Sequence, residues 1–176
     1  DSPFANSGIV VAVETADPAA TVLELVKSLN GTAATTPVIK WDSVAGFVAM
    51  TEMGAVALGQ MLNGVEPNTV TNPTEALGFL AKAPDKTLVF VSNAQRFWGE
   101  PTPAQAIWNL RDVFKSCGAT LVLLCTTATL PEELKGDVVV MSVALPNQEQ
   151  IGGIIDSILS DAGQDPAKLE DKGKVV

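Results

Sequence analysis

The chain has 176 residues, 47% of them apolar and 18% charged, which describes a folded globule and excludes a disordered polymer. A net charge of −9 and only two arginines, Arg96 and Arg111, argue against nucleic-acid binding, because phosphates call for clustered Lys and Arg. The absence of histidine excludes Ser-His-Asp and Cys-His catalysis and every His-ligated metal site.

The length suits one domain, expected over 1–163, with a polar linker or tail at 164–176. The lysines of that tail, Lys168, Lys172 and Lys174, are diluted by Glu170 and Asp171. Two cysteines, Cys117 and Cys125, cannot build a disulfide framework and read as reduced apolar residues, which fits a cytoplasmic home. No apolar run reaches the ~18 residues of a membrane span, and no signal peptide is visible. A first residue of Asp1 rather than Met is expected of a piece trimmed or excised from something longer.

In chain order, the first β-rich run is Ile9–Val13. A helix is expected over Pro18–Leu29, with Asp17 as N-cap, Pro18 at the first helical position, and Val22, Leu25, Val26 and Leu29 on one face. Val38–Trp41 is the second strand. Val44–Val65 is rich in Gly, Ala, Val and Met, and reads as a helix, a short hairpin, or both. Core packing is the favoured role for it; the other is an apolar contact surface with Met50, Met53 and Met61 as adaptable anchors.

Pro73–Lys82 opens with a capping-box spacing, Asn72 and Glu75. Leu88–Val91 is the third strand, and Pro103–Cys117 a helix capped by Thr102 with Gln105. Thr120–Cys125 and Val138–Val143 are the last strands, and Gln148–Ala162 a final helix with the stripe Ile151, Ile154, Ile155, Ile158 and Leu159. Strand runs that are apolar throughout suit a sheet covered on both faces. The alternation of strand and helix predicts a three-layer α/β sandwich with right-handed crossovers.

In such a sheet, ligands sit at the carboxyl ends of the strands. After the first strand comes ETADPAAT, Glu14–Thr21. A phosphate loop needs glycines whose N–H groups wrap the phosphates, a Lys for the β/γ-phosphates and a Ser or Thr for magnesium. This stretch has neither Gly nor Lys; Glu14 and Asp17 would repel a triphosphate, and only Thr21 could fill a role. After the third strand stand Ser92 and Asn93, where a metal-holding Asp and a water-activating Glu would sit. Neither can be a general base near neutral pH, and both suit a turn. After the fourth strand come Thr126, Thr127 and Thr129, then LPEEL, where Glu132 and Glu133 suit the first turn of a short helix. Arg96, Phe97 and Trp98, with Trp108 off the apolar stripe of its helix, are interface-type residues and also ordinary packing residues.

These segments, in this order, resemble one family over Ile9 to Ala162. IVVAVETADPAATVLELV is similar to its first strand and helix, and VIKWDSVAGF to its second strand. NPTEALGFL looks like the helix before the third strand, and LVFVSNAQRF like that strand, which usually ends near an Asp. NLRDVFKSCGATLVLLCTTATLPEELKGDVVVMSVALPNQEQI resembles the closing segment, with Gln148–Gln150 a mild departure from LPxxEEI. The family is the amino-terminal, P-loop-lacking ATPase-like domain of tandem AAA+ proteins of the hypothetical chloroplast reading-frame forty-six type. The resemblance implies a five-stranded parallel sheet of order 5-1-4-3-2 and a following AAA+ domain with an intact phosphate loop.

The expected function is therefore a non-catalytic AAA+-like domain that serves as a scaffold, oligomerisation or partner-binding module of a larger ATPase. Its partners would be proteins or neighbouring AAA+ subunits, not nucleic acid or membrane. No catalytic residue, metal or cofactor is expected. The degenerate positions are Asp17, Thr21, Ser92, Asn93, Thr126 and Thr127, and the partner-contact candidates Arg96, Phe97, Trp98 and Trp108. The alternative is a nucleotide-binding or ATP-hydrolysing domain with a non-standard pocket lined by Thr126, Thr127, Asn93 and the helix start at Asp17–Thr21.

Overall fold

The structure, a computed structural model, describes residues 9–27, 29 and 35–143. Its elements are β1 (Ile9–Thr15), α1 (Pro18–Lys27), β2 (Val38–Asp42), β3 (Gly46–Ala49), α2 (Glu52–Leu62), α3 (Pro73–Leu80), β4 (Leu88–Val91), α4 (Pro101–Cys117), β5 (Thr120–Cys125), α5 (Glu132–Lys135) and β6 (Val138–Val143). Single 3-10 turns lie at Pro67–Thr69 and Ala94–Arg96. The helix expected at Gln148–Ala162 and the tail from Gln164 lie outside the described residues.

The sheet runs β3-β2-β4-β5-β1-β6. All neighbours are parallel except β2 and β3. The five parallel strands taken alone have the expected 5-1-4-3-2 order. The correction is a sixth strand: β3 folds back on β2 as a hairpin edge, with Trp41 opposite Phe47 and Lys40 opposite Val48. Asp42 makes the turn, its Oδ1 accepting from the N–H groups of Val44 (2.8 Å) and Ala45 (2.7 Å).

Both faces of the sheet are covered, which explains the unbroken apolar strands. On β1, Ile9, Val11 and Val13 pack with Val22, Leu25 and Leu29, while Val10 and Ala12 face the opposite cluster. That second cluster takes Leu58, Met61 and Leu62 from α2, Leu77 and Leu80 from α3, and Ile107, Leu110 and Phe114 from α4. Every residue of β4 and β5 is buried. Trp41 is the anchor beneath the helices: its Nε1–H donates to the Val70 carbonyl at 2.7 Å, and Phe97 meets it edge-on at 6.0 Å.

The expected caps at Asp17 and Asn72 form, with Ala20 N–H donating to Asp17 Oδ1 (3.0 Å) and Glu75 N–H to Asn72 Oδ1 (3.1 Å). The α4 start is corrected. The helix begins at Pro101, with Glu100 in the cap position and no side-chain cap, rather than after Thr102. Both Pro101 and Pro103 fit its first turn, where N–H groups have no helical partner in any case. Helix α2 lies close on β2 through Gly54, where an added Cβ would come within 2.1 Å of the Val38 carbonyl oxygen.

Candidate functional site at the strand ends

The connection from β1 to α1 is two residues, Ala16 and Asp17. A closed hydrogen-bond ring fills it. The buried Thr21 hydroxyl donates to the Asp17 carbonyl (2.9 Å), so the Thr15 hydroxyl, 2.9 Å away, donates to Thr21. Asp17 N–H in turn donates to Thr15 Oγ1 (3.1 Å). Thr15 and Thr21 are 2% and 0% exposed, so neither offers its hydroxyl to solvent. Asp17 also caps α1, which engages the amide of Ala20. A turn this short has no free row of amides to wrap a phosphate chain.

Glu14, at the end of β1, reaches across to the loop after β5, where its Oε2 accepts from Ala128 N–H at 2.7 Å. The same loop is held from the other side by Gln95, whose Nε2 donates to Thr126 Oγ1 (3.2 Å), and by Trp98, whose Nε1–H donates to the Thr129 carbonyl (3.0 Å). Gln95 Oε1 is buried without a partner. These three anchors are the residues that sequence reasoning missed. Glu14 was readable only as a repulsive charge, and nothing local in the sequence marks pairs that lie this far apart along the chain.

The sequence-derived positions separate in space. Ser92 N–H donates to the Trp41 carbonyl (3.0 Å). Asn93 sits in the left-handed region, φ +53°, which Asn tolerates better than most residues. Thr126 and Thr127 are exposed. A cavity of about 240 Å³ at the ends of β1, β5 and β6 is lined by Glu14, Thr15, Ala16, Thr126, Ser142 and Val143. It includes Thr126 but not Asp17, Thr21, Asn93 or Thr127. Its lining carries one carboxylate and no cation, the wrong polarity for a triphosphate. Below it, burial and then the nearby Glu14 charge push the Cys125 thiol up to about 11, so it stays neutral and inert. Among the described residues no group of three His, Cys, Asp or Glu could hold a metal ion. Nor is any described helix long and apolar enough to cross a membrane.

Phe97 and Trp98 are corrected as contact candidates. They are 6% and 3% exposed and pack in the core, because Phe97 meets Trp41 edge-on and Trp98 pins the loop after β5. Arg96 remains exposed and Trp108 half-buried. The Arg111 guanidinium lies 4.4 Å from the Trp108 ring centroid and pairs with Asp137 at 2.7 Å. That hydrogen bond raises the Arg111 pKa above its ordinary value.

The profile of the SpoVK-like AAA ATPase N-terminal domain matches residues 8–143. The chain belongs to that family. As an N-terminal domain of the SpoVK-like AAA ATPases, it has the α/β sheet of an AAA+ ATPase-like fold, with β3 added at one edge. A comparison with curated protein sequences returned no match. Among solved structures, Drosophila ORC bound to GC-rich DNA and Cdc6 is similar at 12% identity and TM-score 0.46, over 82% of this chain and 53% of that one. Drosophila ORC bound to DNA is similar at 15% identity and TM-score 0.42, over 84% of this chain and 40% of that one. The chain thus spans about half of those proteins or less, and likeness at this level says nothing about its ligands.

Proposed function

We propose that this SpoVK-like N-terminal domain is non-catalytic and works as a scaffold, oligomerisation or partner-binding module of a larger AAA+ ATPase. One observation carries the reading: the two-residue turn after β1 is closed by Thr15, Asp17 and Thr21 where a phosphate loop would open. Glu14 supports it, since its carboxylate stands at the same strand end and ties down the loop after β5. The partners are proteins or neighbouring AAA+ subunits, in a cytoplasmic setting, and the net charge of −9 speaks against nucleic acid. Arg96 and Trp108 are the remaining contact candidates. The tandem arrangement with a following active ATPase domain, as in the reading-frame forty-six type, belongs to the same proposal.

Calorimetric titration of the 176-residue chain with ATP and ADP, with and without magnesium, tests it. No binding is expected. Magnesium-dependent ATP affinity at millimolar or tighter would overturn the reading. The cavity at the ends of β1, β5 and β6 favours a second reading, a nucleotide held at a non-standard site. In that case Thr126→Ala, at the cavity wall, would abolish the measured binding and Thr127→Ala would not.

A further inference from the structure

A cluster of exposed apolar side chains that the strand-end site does not explain lies at the β3 edge of the sheet. Seven large apolar side chains are exposed among the described residues, and five of them, Val44, Val48, Met53, Val56 and Val65, fall in one short stretch. The same stretch bounds a groove of about 470 Å³ between β3 and α2, floored by Phe47, Ala49, Leu58 and Leu62 and rimmed by Gly59 and Glu66. A volume of that size is within the ~300–1,000 Å³ range of ligand pockets. The groove runs beside a strand edge. β3 is hydrogen-bonded to β2 on one side, and among the described residues no strand pairs with the other; the 3-10 turn Pro67–Thr69 closes on its first residue, Gly46, where an added Cβ would meet the Pro67 carbonyl oxygen at 2.3 Å, so the stretch offered to a partner is Phe47–Ala49. Alternate residues of an edge strand direct N–H and C=O outward, ready for another chain.

The occupant can be specified further from charge. Between residues 41 and 81 the sequence holds Asp42, Glu52, Glu66 and Glu75 and no Lys or Arg. From the turn after β2 to the end of α3 the charges are therefore of one sign, with Lys40 on β2, opposite Val48, the nearest cation in the sequence before them. Glu66 stands on the groove wall itself. A strand laid along β3 would send every second side chain to the α2 side, at a spacing of ~6.6 Å, into a trough with apolar walls. At the Glu66 end it would face a carboxylate.

We infer that the β3 edge and the β3–α2 groove bind an extended protein segment with apolar side chains at alternate positions and Lys or Arg at the flank facing Glu66, an inference that rests on the binding-module reading above. Gly59 supplies the means to block it. A Cβ built there meets nothing within 4 Å, so a side chain at this helix position enters the groove without displacing the core.

The experiment selects a phage-displayed library of random nine-residue peptides on the full chain, then titrates the enriched sequence as a synthetic peptide. Enrichment of alternating apolar residues with a basic flank is expected, with amide shifts on binding at Phe47–Ala49. Gly59→Leu should weaken binding at least tenfold while leaving the thermal midpoint no lower. Glu66→Lys, at an exposed position, should weaken it severalfold and reduce its dependence on salt. No enrichment, an acidic consensus, or equal affinity for Gly59→Leu would each overturn the inference. The ATP titration separates the two failures: nucleotide binding defeats the module reading, whereas failed selection without nucleotide binding defeats the groove alone.

Discussion

Two connections leave the carboxyl side of the same sheet, the turn after β1 and the hairpin after β2, and they treat their polar and apolar groups in opposite ways. After β1, each hydroxyl and the capping carboxylate has a partner within two turns of chain, and the helix start is closed. After β2, a single Asp42 carboxylate sets the turn, Val44 stands 87% exposed, and the chain returns as an edge strand over an apolar groove. The difference is that the turn after β1, where this fold class binds small ligands, closes its polar groups on one another, whereas the sheet edge leaves apolar side chains exposed. That distribution supports the proposed recognition of a chain rather than of a nucleotide.

The comparison can be broken first at Gly54. Gly54→Ala would drive a methyl group into the Val38 carbonyl and push α2 off β2, destabilising the fold by about 3 kcal/mol in urea unfolding. A near-neutral result would mean that α2 is loosely held and the groove has no fixed wall. At the other connection, Thr21→Val keeps the volume but removes the hydroxyl that joins Thr15 to the Asp17 carbonyl. A loss of roughly 1–2 kcal/mol is expected, with no gain of ATP binding. Asp17→Ala removes the α1 cap and should cost ~1 kcal/mol by the same measurement.

Cys125 sharpens the contrast through pH. Its folded pKa, about 11, lies above the ordinary 9.0, so the stability it contributes is complete below pH 9 and is lost as pH rises from 9 towards 11. Unfolding midpoints of the wild type should therefore fall more steeply over that window than those of Cys125→Ala. In the folded protein a thiol reagent near pH 8 should label Cys117, partly exposed, well before Cys125. The smallest effect is expected at Arg111. Arg111→Gln loses a surface pair with Asp137 and a stacking contact with Trp108, and the change in midpoint should shrink further in high salt.

The elements legible in the sequence were those with a local physical signature. The parallel strands announce themselves because both faces are buried, so Leu88–Val91 is apolar throughout and Thr120–Cys125 is so after Thr120. Asp17 and Asn72 are visible as caps because the amide they accept from lies three residues on. The order of the parallel strands was not readable from periodicity; it came from the resemblance, and the pairings bear it out. The hairpin was ambiguous because β3 is four residues long, with Phe47 inward and Val48 outward, too little alternation to separate a strand from a helix. The inward turn of Phe97 and Trp98 was hidden for another reason. Their fates depend on Trp41 and Thr129, which local composition cannot associate with them.

In Val44–Val65 the two readings divide between residues. Met61 is fully buried and belongs to the core, and Met50 packs against the α1-side cluster, whereas Met53 is 38% exposed. The strand-end positions were legible as residue types but not as a site, since Ser92, Asn93, Thr126 and Thr127 do not converge on one cavity.

The position of β1 has a consequence for how the chain reaches this state. β1 is the first of the described strands to be made, yet among them it pairs with β5 and β6, Ile9 opposite Thr120 and Val10 opposite Val138. Closing loops of that length must precede any reward from pairing, which places the domain among slow, high-contact-order folders. Among the described strands, the hairpin of β2 and β3 is the pairing closed by a short turn. IVVAV waits with both edges open until β5 has been made and with one edge open until β6 follows, which makes it a segment in need of protection from aggregation during biosynthesis.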